Sequence, residues 1–459
     1  MNYLSTRGDG QAVDFKTAVL DGLARDGGLF LPESIPEVRG DLPGWAGLGY
    51  PALAVEIMRR FADLPPAPLA AMVRDSAAAF RHPEVTPVVS LPDLDILELF
   101  HGPTLAFKDI ALQWLGRLFE YYLARSGRGL NIVAATSGDT GSAAIAGVRG
   151  RRGIRIFVLY PDGRVSPDQE RQMTTVPDAN VHCLAVKGSF DDCQGIVKRL
   201  LGDLAFRDRY SLGAVNSINW ARLLAQVVYY FYGVFRVQRR TGAAAVQVAV
   251  PTGNFGDLFA GYLARRMGAP ISRLILATNE NDILARFFNT GIYRRGTVQA
   301  TLSPSMDIQV ASNFERYLYY RLGSDPRAVR RAMEVFSQTG ELRLDPEAAG
   351  PDPGLAAGAC ATDEALETIG ACYRQTGMLL DPHTAVGVAV GRRFRRPGEP
   401  LLALATAHPA KFPEAIRRAT GGAAARHPVL DALAGLPQRR TALPAEEGAV
   451  RAYIRAQVA

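Results

Sequence analysis

NIVAATSGDTGSAAIAGV, residues 131–148, is the stretch whose reading decides the fold. Its first six residues form an apolar run of strand length, Ser137-Gly138-Asp139-Thr140-Gly141 break it, and a helix of small residues begins at once. A strand that feeds a helix through a tight turn is half of a βαβ unit. The same grammar recurs outward in both directions. DILELF (95–100), IRIFVLY (154–160), VHCLAV (181–186), VQVAV (246–250), RLILAT (273–278) and LLALAT (401–406) are short β-rich runs separated by glycine-containing turns and helical periods. Such alternation implies parallel sheets with helices on both faces, an α/β fold. The first 85 residues differ, with short helical stretches such as PALAVEIMRRF (51–61) punctuated by proline. We therefore divide the chain into a mostly helical N-terminal module (1–85) and two α/β lobes (86–240 and 241–459).

Composition narrows the function classes. The 459 residues are 48% hydrophobic and 21% charged, as in soluble globular proteins, and 459 is long for one core. No apolar run approaches the ~18 residues of a membrane helix, and the opening MNYLSTRGDGQAVDF lacks the layout of a secretory signal. A cytoplasmic protein is expected. Cys183, Cys193, Cys360 and Cys372 are widely spaced and the six histidines scattered, so neither a disulfide framework nor a metal site is expected. The net charge of +7 raises the question of nucleic acid. Lys16, Lys108, Lys187, Lys198 and Lys411 are the only lysines, however, and the arginines fall in short clusters between apolar segments. Solvated helix ends explain that pattern better than a nucleic-acid groove.

Ligands of parallel sheets bind beyond the carboxyl ends of the strands, so the loops after these runs are where chemistry is sought. In FHGPTLAFKDIALQWLGRLF (100–119), Gly102 and Pro103 end a strand, Thr104 is positioned to cap a helix, and Phe107, Ala111, Trp114 and Leu118 form a buried stripe. Lys108 falls on the first turn, away from that stripe. The positive end of the helix dipole disfavours an ammonium there and favours a nucleophilic amine, although Asp109 opposes this and an ordinary surface lysine fits the pattern too.

In the loop at 137–141, Ser137, Asp139 and Thr140 belong either to an anion cradle or to simple N-capping. PTGNFGDLFAGYLARRMG (251–268) follows another strand; Gly253 and Gly256 let backbone approach a phosphate, but neither a Walker loop nor a full G-x-G-x-x-G is present. In NSINWARLLAQ (216–226), Asn216, Ser217, Asn219 and Arg222 can converge on an anion. Ser312-x-x-Glu315 reads as a capping box, while Met306 and Asp307 just before it stay undecided. Thr406 ends a buried strand, where its hydroxyl meets either a ligand or a backbone group, and His408 and Lys411 follow.

Taken together and in order, FHGPTLAFKD, SGDTGSAA, SFDDCQ, NSINWAR, PTGNFGD, ATNENDIL, SPSMDI, DPHTAVG and ATAHPAKF resemble the threonine synthase family of bacteria and fungi, and STRG and DGGLFLPE resemble its N-terminal module. The likeness spans residues 1–420; the Arg/Ala/Pro-rich tail beyond shows none. Asp162 stands where the family often has a basic residue.

The resemblance implies a fold-type-II (tryptophan-synthase-β-like) enzyme with pyridoxal 5'-phosphate as cofactor, making L-threonine and phosphate from O-phospho-L-homoserine and water. It assigns Lys108 as the Schiff-base lysine and general base, Gly253, Asn254, Phe255, Gly256 and Asp257 to the cofactor phosphate, and Thr406 to the pyridine nitrogen. Ser137, Asp139 and Thr140 would meet the substrate carboxylate, and Asn216, Ser217, Asn219 and Arg222 the substrate phosphate. A monomer or homodimer is expected, without nucleic acid or membrane. A phospho-lyase releasing 2-oxobutyrate would share nearly every motif, and a non-catalytic anion-binding protein would bind no chromophore.

Overall fold

The computed structural model describes residues 1–8, 11–136, 138–344 and 352–458. The N-terminal module pairs β1 (Tyr3–Ser5) with β2 (Phe30–Pro32) antiparallel and adds the helices Phe15–Asp21, Leu42–Trp45, Tyr50–Met58 and Pro66–Ala77. In chain order there follow β3 (Val88–Ser90), β4 (Asp95–Glu98), β5 (Leu130–Ala135), β6 (Ile154–Pro161), β7 (Val181–Lys187) and β8 (Leu212–Gly213), then β9 (Val246–Pro251), β10 (Ile271–Thr278), β11 (Ile292–Arg294), β12 (Glu341–Arg343), β13 (Leu355–Ala359), β14 (Leu401–Ala405) and β15 (Thr441–Pro444). Every apolar run named above coincides with one of these strands.

Two sheets carry the lobes. One runs β15-β7-β6-β5-β8 and is parallel throughout; the other runs β13-β10-β9-β14-β4-β3 and is parallel except for the β3–β4 pair. The inner strands β5, β6, β9 and β14 are buried almost end to end, as continuous apolar runs in helix-covered parallel sheets should be.

The chain crosses the expected lobe division twice. β3 and β4 join the sheet of the second lobe, and β15 joins that of the first. Hydrophobic period reports which residues form a strand but not which edge it extends. The tail after residue 420 is thus part of the fold: Val450 and Ile454 of the helix Glu447–Val458 pack with Phe157, Leu184 and Ile196. Between the lobes runs the helix Trp220–Thr241, buried over nearly its whole circumference. A helix buried on all sides is a core element, and its aromatic run YYFYGVF (229–235) is packed within that core.

Candidate active site

The lysine loop and the loop after β14 are tied to each other. Ala106 and Ala407 form an antiparallel bridge, the Phe107 N–H donates to the Thr406 carbonyl (2.8 Å), and the His408 N–H donates to the Leu105 carbonyl (3.0 Å). Lys108 and Thr406 therefore lie side by side at the carboxyl ends of β4 and β14. Thr104 does not cap the helix Lys108–Ser126. Its N–H and hydroxyl both donate to the Asp109 carboxylate at 2.8 Å, so the acid from the helix's first turn fastens the loop instead.

The Lys108 side chain is 11% exposed, with its Nζ 3.6 Å from an Asp139 carboxylate oxygen and 3.5 Å from Ser305 Oγ. Burial lowers its pKa; Asp139 opposes this, while Lys411 and Arg222 add to it. A neutral amine is the form that acts as nucleophile or base. Lys411, which the sequence reading left unassigned, is the unexpected member of the site. It is buried, pairs with Asp139 at 2.7 Å, and donates to the Thr104 carbonyl at 2.9 Å. Burial opposes ionisation of Asp139, but Lys411 and Lys108 outweigh it and hold the acid well below the usual carboxylate range. An ionised acid clamped by two lysines and by the Gln169 amide (2.9 Å) does not attract a substrate carboxylate through its side chain. What residue 139 can offer an anion is its backbone N–H at the start of the helix Asp139–Val148.

Around that helix start the capping oxygen belongs to Thr136, which accepts from the N–H groups of Gly138 (3.0 Å) and Gly141 (2.9 Å). Gly138, at φ 144° and ψ −91°, adopts backbone angles that are essentially restricted to glycine. Thr140 is half-buried in the first turn, and Ser137 lies outside the described residues.

The glycine loop after β9 is closely fitted. A Cβ on Gly253 would stand 2.6 Å from the Ser305 carbonyl oxygen. Phe255 takes φ 65° and stacks on Phe288, and the Asn254 carbonyl accepts from the Asn313 N–H and side-chain amide, both at 3.1 Å. The helix Gly256–Met267 starts there, giving a concave backbone and a helix N-terminus of the kind that holds phosphate. Asp257 departs from the expectation. Its carboxylate turns inward, accepting from the hydroxyls of Tyr229 (2.5 Å) and Tyr230 (2.8 Å), and burial pushes its pKa up to about 6. Beside a phosphate it is a like charge, and its side chain is no ligand for one.

The four residues expected at a second anion separate. Arg222 is buried, donates from Nη1 to the Val215 carbonyl, and has no carboxylate in ion-pair range among the described residues. Its Nε has no partner among the described residues, and burial lowers its pKa to about 10. Buried charge normally finds a counter-charge, so this guanidinium is built to receive one. Ser217 Oγ lies 3.1 Å from Ser312 Oγ, which in turn donates to the Asn254 side chain at 3.3 Å. Ser312 is accordingly not half of a capping box. Glu315 faces the other way, accepting from Thr6 (2.5 Å) and pairing with Arg7 (2.9 Å) of the N-terminal module, because those partners offer a buried acid more than a helix start does.

Asn219 is spent on structure: its Oδ1 accepts from the Ala221 N–H (3.0 Å) as N-cap and its amide donates to the Val19 carbonyl (2.8 Å). Asn216 is exposed, with its carbonyl taken by the Asn219 N–H. Asp307 knits its own loop together by accepting from Asn279 (2.7 Å), Asn281 (3.2 Å) and Thr301 (2.7 Å). Asp162 is answered by Arg440 from the tail, at 2.7 Å.

Three family models match the chain: Threonine synthase N terminus over residues 2–77, Pyridoxal-phosphate dependent enzyme over 80–360, and Threonine synthase, C-terminal over 384–454. The last includes most of the tail that had shown no likeness. The chain is 46% identical to a threonine synthase of Pseudomonas aeruginosa, covering 99% of this chain and 98% of that one. It is 39% identical to the human protein Threonine synthase-like 2, over 91% of this chain and 88% of the other. The crystal structure of PLP-bound threonine synthase from Brucella melitensis superposes with a TM-score of 0.95 at 46% identity, covering 100% of this chain and 99% of that one. The lobes thus have the fold-type-II arrangement.

Proposed function

The chain belongs to the threonine synthase family of pyridoxal-phosphate-dependent enzymes, and on that premise we propose how its residues share the work. The enzyme converts O-phospho-L-homoserine and water to L-threonine and phosphate, using pyridoxal phosphate. The residues present fit that cofactor. Lys108 is a buried amine, the close-packed loop 253–256 is a cradle that a Cβ would fill, and Thr406 lies beside the lysine. When bound, pyridoxal phosphate withdraws electrons from the substrate's Cα so that protons leave Cα and Cβ more readily.

Lys108 holds the cofactor and, as the free amine, removes the Cα proton and then the Cβ proton; one proton is returned to Cγ after phosphate has left, making it a methyl, and one to Cα after water has added its hydroxyl at Cβ. Asp139 and Lys411 hold it in place at the start of its helix. Thr406 presents a neutral hydroxyl to the pyridine nitrogen. Gly253, Asn254, Phe255 and Gly256 take the cofactor phosphate through backbone. The backbone at Asp139 and Thr140 takes the substrate carboxylate, and Arg222 with Ser217 takes the substrate phosphate and stabilises it as it leaves Cγ. We further propose a cytoplasmic monomer or homodimer that binds no nucleic acid; among the described residues no helix is long and apolar enough to cross a membrane.

The observation that carries this division is the buried Arg222, unneutralised among the described residues, near the buried Lys108 whose pKa it helps to lower. Incubating the protein with O-phospho-L-homoserine and assaying threonine against 2-oxobutyrate tests the reaction, and a predominance of the keto acid would overturn it in favour of the phospho-lyase. In the same assay Arg222→Leu is expected to raise KM about 10- to 100-fold, the cost of one charge-assisted contact. An unchanged KM would remove Arg222 from the phosphate site.

A further inference from the structure

The motif DPHTAVG (381–387) has no role in the reading above, yet its first residues brace the cofactor site from two sides. Asp381 is 1% exposed and precedes the helix Pro382–Phe394, accepting from the N–H groups of His383 (3.0 Å) and Thr384 (3.4 Å). Capping needs no more than that, and a serine or asparagine would serve. Asp381 has two further partners. One carboxylate oxygen lies 2.8 Å from His383 Nδ1, and the other accepts from the Thr384 hydroxyl. Each of these passes the constraint on. His383 Nε2 accepts from the Ser305 N–H at 3.3 Å, and Thr384 Oγ1 accepts from the Thr406 N–H at 3.2 Å.

The protons in this array are determined by its chemistry. A backbone N–H can only donate, so Nε2 of His383 carries the lone pair and Nδ1 the proton given to Asp381. Ser305 is the residue whose hydroxyl meets Lys108 Nζ (3.5 Å) and whose carbonyl abuts Gly253. Moving the Ser305 loop therefore moves the lysine's contact and the phosphate loop together.

Resting on the pyridoxal-phosphate reading, we propose that Asp381, His383 and Thr384 are positioning residues: one buried carboxylate holds the Ser305 loop, and through it Lys108, in register with Thr406. His383 does not itself transfer protons. Both ring nitrogens are occupied, and Phe412 packs against the ring at 5.0 Å. Second partners that orient a reactive group in this way are worth 10- to 100-fold in activity.

The test pairs variants that differ in which bond they keep. His383→Asn can still donate to Asp381 but not reach Ser305, whereas His383→Gln places an amide oxygen near Nε2 and can accept from Ser305. Thr384→Val keeps the volume and loses the hydroxyl, and Thr384→Ser keeps the hydroxyl. For each holoenzyme the measurements are kcat, KM, the pH dependence of the bound cofactor's visible absorption, and the melting temperature. His383→Asn and Thr384→Val are expected to lose about tenfold or more in kcat with KM within about threefold, and to shift the pH midpoint of the absorption band. His383→Gln and Thr384→Ser are expected to recover most of both.

Parental kcat and absorption profile in His383→Asn and Thr384→Val would overturn the proposal, as would Gln and Ser variants that fail as completely as Asn and Val. Should His383→Asn not fold, the isosteric Thr384→Val still decides. A parent protein that binds no pyridoxal phosphate would instead refute the functional reading, and the parental control reports that separately.

Discussion

Asp257 shows how far one residue's role can depart from its place in a motif. It stands in the glycine loop, where a phosphate-facing position is expected, yet its side chain turns away to two buried tyrosine hydroxyls. Its pKa of about 6 exceeds the unfolded carboxylate value, so the fold binds its proton more tightly than the unfolded chain does. Stability is then present at low pH and lost as pH rises from about 4 through 6. Asp257→Asn removes this dependence. Chemical unfolding of the cofactor-free protein should find the variant gaining on the parent by about 1–3 kcal/mol between pH 4.5 and 7.5; a constant difference across that range would refute the assignment. That Lys108 and Thr406 follow the carboxyl ends of strands could be read in sequence, because strand, turn and helix lie within a dozen residues of each. Lys411 could not: its partners Asp139 and Thr104 are hundreds of residues earlier, and their meeting depends on β14 lying next to β4.

At the scale of elements, the loops that follow strands divide into those whose backbone is closely packed beyond the strand end, as a proposed ligand cradle requires, and those that secure the fold. Gly253 belongs to the first kind. Gly253→Ala sets a methyl against the Ser305 carbonyl, which as backbone cannot easily yield, and cofactor affinity is expected to fall at least about tenfold, ~1.4 kcal/mol. Titration with pyridoxal phosphate followed by absorbance checks this, and unaltered affinity would show the loop to be loosely fitted. Asn219 belongs to the second kind. Asn219→Ala removes an N-cap and leaves the Val19 carbonyl without its donor, costing about 1–2 kcal/mol in stability. KM should stay within about twofold; a large rise in KM with unchanged stability would return Asn219 to the phosphate site. The sequence pattern marks both residues as loop positions before a helix. It does not distinguish them, because an asparagine that caps and one that binds an anion have the same local spacing.

At the scale of the molecule, the C-terminal segment is the clearest gain from tertiary structure. β15 extends the first lobe's sheet beyond β7, pairing Thr441–Pro444 with Leu184–Lys187, and Ile454 is buried against that lobe. Ile454→Ala should cost about 2–5 kcal/mol, measurable by chemical unfolding, with the loss appearing in the first lobe although the residue lies at the far end of the chain. A loss within about 0.5 kcal/mol would mean that the segment is only docked on the surface. By itself, the sequence determined the α/β class and the positions of the principal strands, and it located Lys108 and the glycine loop 253–256 in the segments that follow strands. Each of these is written in local period and turn chemistry, which act over a few residues. Only the tertiary structure decided which sheet β3, β4 and β15 join, that Asp139 is clamped by two lysines, that Arg222 has no counter-charge among the described residues, and that Asp381 reaches both Ser305 and Thr406 through His383 and Thr384. Those outcomes depend on burial and on contacts between distant segments, where desolvation and pairing set the energy and no local pattern records it.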